Sequence, residues 1–105
     1  MNIYDIFIAY VSWGEAGKRR PVLILEQGVE CVKVFNITTR YESKGDTIKS
    51  KYFKMNDWQQ AGLSHESYID TNTTVTLPKS SIEHLLGTLT EADVKRLLDF
   101  IARII

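Results

Sequence analysis

Apolar residues along this chain recur mostly at the two-residue period of β-strands, and only the C-terminal segment carries the longer period of a helix. Asp5–Val11 (DIFIAYV) is rich in β-formers and apolar at both parities, which predicts a strand covered on both faces. A second strand is predicted over Pro21–Glu26, followed by a turn at Gln27-Gly28. In the third, Glu30–Thr38, Val32 and Val34 alternate with Cys31, Lys33, Phe35 and Ile37. These three read as a meander. The segments Ser12–Arg19 and Thr39–Asp46 are expected to be loops; the second is polar, with Gly45 near its end.

Ile48–Met55 predicts a fourth strand. Asn56 then caps a helical turn over Asp57–Ala61, with Gln59 at the capping-box position, Gly62 as its stop, and Trp58 and Leu63 pinning it to the sheet. Ser67–Thr71 and Thr74–Leu77 are short β-prone runs flanking Asn72-Thr73, and Pro78 ends the second. A turn at Ser80–Ile82 leads to a last strand near His84–Leu89. From Thr90, with Asp93 in the capping-box position, Val94, Leu97, Leu98, Ile101 and Ile104 or Ile105 recur at helical spacing. The whole predicts a mainly β domain with a C-terminal helix, a small, strongly bent SH3-like barrel spanning 1–105 as one domain. Edge strands of such barrels invite pairing, so a symmetric homodimer is expected.

Composition changes this picture little. The apolar share of 44% and charged share of 25% are those of an ordinary globular chain. The N-terminal segment carries Asp5 and no basic leader, and no apolar run approaches the ~18 residues of a membrane span. No membrane partner and a cytoplasmic location are therefore expected. The single Cys31 excludes an internal disulfide and lacks the neighbours of a zinc motif. No metal or cofactor is expected.

Charge is more informative in its distribution than in its total. Lys plus Arg and Asp plus Glu balance at 13 each, which gives no general attraction to nucleic acid. Residues 18–54 nevertheless hold nine basic residues against four acidic ones. A local basic surface on a neutral whole suits a short single-stranded contact, although a solvated charge-rich surface explains the same count. The centre of this region is Gly14–Leu25, GEAGKRRPVLIL. Pro21 fixes its own φ and pushes Arg20 towards an extended conformation, so Arg20 stands at a stiff strand mouth while Val22–Leu25 enter the sheet. A guanidinium there offers a planar fork of donors suited to phosphate. On residue types alone, a solvated hairpin loop is the favoured reading.

GKRRPVLIL, with VFNITT at Val34–Thr39, resembles the paired signature of the MazF/PemK family of toxin endoribonucleases. In that family an arginine-proline pair opens one core strand, and an Ile-Thr-Ser or Ile-Thr-Ala type of sequence closes the next. The matching residues are Arg20-Pro21 and Ile37-Thr38-Thr39. Gly87-Thr88-Leu89 and the following amphipathic segment resemble the family's closing strand and helix. The chain departs from the pattern in two places. Tyr4-Asp5 stands where the family commonly has Gly-Asp or Gly-Glu, and Asn72-Thr73 falls where charged residues are often found.

The resemblance implies metal-independent cleavage of single-stranded RNA. The ribose 2′-hydroxyl attacks the adjacent phosphate, leaving a 2′,3′-cyclic phosphate and a 5′-hydroxyl, a reaction that needs proton transfer and stabilisation of an anionic intermediate. It assigns Arg20 to phosphate stabilisation and acid-base work, and Thr38 to orienting a phosphate oxygen. Lys18, Arg19, Thr39 and Arg40 are expected to contact RNA without chemistry. His65 and Asp70 are further candidates for acid-base or supporting roles, although LSHES also reads as an exposed turn and an acidic strand-end residue needs no such role. Trp13 either stacks on a base or covers the barrel end. The implied partners are single-stranded RNA and a cognate antitoxin whose tail occupies the groove. The alternative is a non-catalytic binding protein on the same barrel, such as a gyrase poison of the CcdB type, because fold alone does not settle function.

Overall fold

The computed structural model describes residues 1–104. The expected meander is present as β1 (Asp5–Trp13), β2 (Ala16–Gln27) and β3 (Cys31–Thr38). A short helix α1 (Asp46–Lys49) precedes β4 (Tyr52–Lys54), β5 (Tyr68–Asp70) and β6 (Val75–Pro78). A 3-10 turn over Lys79–Ser81 leads into β7 (Ile82–Thr88), and α2 (Glu91–Ile104) closes the chain. All pairings are antiparallel. The seven strands run in the order β4-β5-β3-β2-β1-β7, with β6 also on β3. β3 therefore holds β6 with its first half and β5 with its last two residues, and the sheet bends where one neighbour replaces the other.

Both parities of β1 are apolar because both faces of the sheet are covered. Ile6, Leu23, Phe35 and Ile37 meet Phe53, Met55, Ile69 and α2 through Leu97, while Ala9, Val11, Val22, Ile24, Val32 and Val34 pack with Leu77 on the other side. The helical stripe is narrower than its spacing predicts. Val94, Leu97 and Ile101 pack on the core together with Phe100, whereas Leu98 and Ile104 are exposed; the alternative position Ile105 lies outside the described residues.

Two expected boundaries are corrected. Ser12–Arg19 is not a loop: β1 and β2 continue as a hairpin arm, pairing Val11 with Lys18, Ser12 with Gly17 and Trp13 with Ala16. The turn is only Gly14-Glu15, and Gly14 has φ 57°, which glycine adopts without a Cβ penalty. Hydrophobic alternation fails there because the arm projects beyond the core, with Trp13 exposed at its end. Ile48–Met55 is likewise not one strand, since its first residues close α1 before β4 begins.

Backbone contacts explain several small residues. A Cβ on Gly87 would lie 2.2 Å from the Ala61 carbonyl oxygen, and one on Gly62 2.1 Å from that of Leu86. The turn ending at Gly62, whose φ is 96°, thus rests directly on β7. Asp93, fully buried, accepts the backbone N–H of Asp57 at 2.8 Å and of Asn56 at 3.4 Å and pairs with Arg96 at 2.6 Å. Its carboxylate ties α2 to that turn instead of closing a capping box on Thr90. Thr90 Oγ1 accepts the Asp93 N–H at 3.2 Å and donates to Asp57 at 2.7 Å. At the N-terminus Tyr4 has φ 72°, the region that favours glycine, which gives a physical reason for a glycine before the acidic residue at this position. Asp5 holds the turn by accepting from Asn2 N at 2.8 Å and Thr88 Oγ1 at 2.9 Å.

Candidate functional site

The β2–β3 ladder ends at the pair Val22–Asn36. Pro21 has no N–H to donate, and beyond it β3 turns to β5 while β2 stays with β1. The parting strands open a depression of about 200 Å³ lined by Lys18, Arg19, Arg20, Pro21, Ile37, Thr38, Thr39, Arg40 and Ser67. Arg20 and Thr38, each two residues beyond the last pair of the ladder, both line the depression. Arg20, Thr38 and the four expected RNA contacts all lie on this depression, though they come from separate stretches of sequence.

Its electrostatics are those of cations held together. Lys18 has its pKa lowered, first by the Arg20 guanidinium, then by desolvation, Arg40 and Lys44. Among the described residues no carboxylate pairs with Arg20, whereas Arg19 Nε lies 2.9 Å from both oxygens of Glu83 and Arg96 is held by Asp93. Strand alternation is the cause of this difference. Arg20 faces with its partner Ala9, while Arg19 faces with Tyr10 and lies 5.7 Å from that ring's centre. Arg19 contributes to the rim, but its guanidinium is engaged across β1 on β7. Arg20 Nε is buried with no protein partner.

Thr38 Oγ1 accepts the Arg40 N–H at 3.0 Å, which uses the oxygen and leaves the hydroxyl hydrogen available to donate. Thr39 is exposed at the rim. His65 lies outside the lining residues, exposed, with Nδ1 2.9 Å from Ser64 Oγ. Asp70 makes no ion pair with Arg20. It accepts the Asn72 N–H at 2.9 Å and faces its strand partner Tyr52. Burial, reinforced by Asp70, pushes the Tyr52 phenol above its usual range, and Arg20 pulls it back.

The tertiary structure adds residues with no local signal in the chain. Ser67, buried, lines the depression and donates to the His65 carbonyl at 2.8 Å. Tyr41 stacks on Tyr68 with ring centres 4.4 Å apart, lies 6.4 Å from Tyr52, and carries Lys49 over its face at 4.9 Å. This stack anchors the segment that begins with Arg40. The three tyrosines come from a loop and two strands, so no spacing rule reveals them.

The arrangement can hold an anionic, phosphate-sized group between an uncompensated guanidinium and a hydroxyl donor. No curated protein matches the chain. Among solved structures, the Mycobacterium tuberculosis toxin MazF-mt6 is similar with a TM-score of 0.72 and 25% identity, over 94% of this chain and 93% of that one. An endoribonuclease in complex with its cognate antitoxin, from a mycobacterial species, shares the fold with a TM-score of 0.67 and 16% identity, over 96% and 88% of the two chains. Residues 3–105, nearly the whole chain, match the PemK-like, MazF-like toxins of type II toxin-antitoxin systems, and the chain belongs to that family.

Proposed function

We propose that this toxin is an endoribonuclease that cuts single-stranded RNA without a metal, leaving 2′,3′-cyclic phosphate and 5′-hydroxyl ends. The observation that carries the reading is Arg20, a guanidinium with no carboxylate partner, lining the same cationic depression as Thr38. Transition-state charge on a phosphate grows as the 2′-hydroxyl attacks, and fixed donors stabilise that charge without reorganising. Arg20 supplies this stabilisation and takes part in proton transfer. Thr38 donates its free hydroxyl hydrogen to a phosphate oxygen, while Lys18, Arg40 and Thr39 hold the flanking backbone.

The protein acts in the cytoplasm as a homodimer, and a cognate antitoxin silences it by occupying the same groove. A solved structural neighbour described as an endoribonuclease in complex with its cognate antitoxin supports the antitoxin part of this reading. The test is incubation of the purified protein with labelled single-stranded RNA in EDTA, followed by analysis of the product ends. Cyclic phosphate and 5′-hydroxyl ends are expected, with no cleavage where the nucleotide at the cut is 2′-deoxy. Cutting of the deoxy substrate, or a requirement for magnesium, overturns the mechanism. Failure to cut any RNA, together with tight binding to a protein target, selects the non-catalytic barrel.

A further inference from the structure

Two buried side-chain atoms among the described residues lack any protein partner: Arg20 Nε and Asn36 Oδ1. One can only donate a hydrogen bond and the other can only accept one. Leaving either unpaired is unfavourable, and native proteins retain such groups where they serve a site.

The two residues are neighbours. Val22 pairs with Phe7 on one side and Asn36 on the other, and Arg20 pairs with Ala9, so alternation brings Arg20, Val22 and Asn36 to the same face. Arg20 and Asn36 are diagonal across β2 and β3, a separation of about 7–8 Å that a long side chain covers. The two atoms make no direct bond in this conformation; both are buried and unpaired, and each has the capacity that the other lacks.

We propose that Asn36 is a positioning residue for Arg20: its Oδ1 receives the Arg20 Nε–H and turns the two Nη groups towards Thr38. An arginine has several rotatable bonds, and β2 fixes only the first of its atoms. Arg19 and Arg96 are fixed by Glu83 and Asp93, which also neutralise them. An amide oxygen fixes a guanidinium while leaving its whole charge for a phosphate. The placement therefore explains an uncharged acceptor beside Arg20, whose charge is left whole for a phosphate. The consequence for turnover rests on the reading that Arg20 stabilises the scissile phosphate.

The experiment compares wild type, Asn36→Val and Asn36→Asp, all checked for folding by circular dichroism. Hydrogen exchange at Arg20 Nε–H is followed by ¹⁵N NMR, with the resonance assigned by its loss in Arg20→Lys. Slow exchange is expected in wild type and in Asn36→Asp, and exchange at least about tenfold faster in Asn36→Val, since only valine removes the acceptor. With RNA, Asn36→Val should lower kcat about tenfold or more with little change in KM, because it misaligns a group used in the transition state. Asn36→Asp should raise KM, because its carboxylate competes with the phosphate. If Asn36→Val does not fold, Asn36→Ser, whose shorter side chain withdraws the acceptor, is read in the same way. Equal Nε–H exchange in wild type and the folded valine or serine variant overturns the proposal. Failure of wild type to cleave RNA would defeat the proposed function, yet the exchange measurement would still decide the role of Asn36.

Discussion

Arg19 and Arg20 are consecutive on β2, yet Arg19 reaches Glu83 on β7 at 2.9 Å while Arg20 lines the same depression as Thr38 with no carboxylate partner. Their different fates follow from the pleat of one strand, which sends successive side chains to opposite faces.

The two arginines should therefore respond differently to truncation. Arg20→Ala should lower cleavage about 100- to 1,000-fold, the usual loss for one donor to a developing oxyanion, while the protein stays folded. Arg19→Ala should change it only slightly, since its charge is already compensated. Lys18→Ala should reduce the salt dependence of RNA binding by about one unit of log–log slope, the signature of one phosphate contact. Rates on labelled RNA and a salt titration check all three, and equal losses for Arg19→Ala and Arg20→Ala would refute the distinction.

Thr38 already accepts one hydrogen bond from Arg40 N, so its hydroxyl joins loop placement to phosphate contact. Thr38→Ser should keep most of the activity. Thr38→Ala should lower kcat about ten- to hundredfold, the worth of one hydrogen bond to a charged group, and loosen the segment after it. Early melting of both variants with equal loss of rate would show instead that only the methyl matters.

Alkaline pH should weaken the fold through Tyr52. Its pKa is raised above the ordinary 10.0 by burial and Asp70, so above pH 10 the unfolded chain loses a proton that the folded protein retains. The unfolded state then binds fewer protons, and stability falls as pH rises towards the folded pKa. Denaturant melts between pH 9 and about 11 should show this decline, and Tyr52→Phe should make it shallower. An unchanged slope in Tyr52→Phe would assign the decline to other groups.

Gly87→Ala should destabilise the protein by about 3 kcal/mol, because overpacking against backbone has no cheap relief. The added Cβ would meet the Ala61 carbonyl oxygen at 2.2 Å, so the turn at Gly62 and strand β7 would have to separate. Thermal melts test this. Wild-type stability in Gly87→Ala would mean that the two segments are not held together in solution.

Local patterning determined the β1–β3 meander and the closing helix, because strand alternation acts over a few residues. Arg20, expected at a strand mouth, lies instead inside β2, paired with Ala9, because the hairpin arm extends the strand back to Ala16. The family resemblance, not patterning, singled out Arg20-Pro21 and Ile37-Thr38-Thr39, and the structure brings both segments to one depression. Tertiary structure decided what those segments could become. The hairpin arm over Ser12–Arg19 is held by ladder pairs, not by a buried face, so hydrophobicity alone left it as a loop. That Arg19 is charge-compensated and Arg20 is not depends on the pleat of β2 and on Glu83, 64 residues from Arg19 in the chain. Ser67, Asn36 and the stack of Tyr41 on Tyr68 were likewise hidden, since residues distant in sequence met only when β3 exchanged β6 for β5. Short-range chemistry set the elements. The strand order set the charge balance and geometry of the site, because those depend on which faces are brought together.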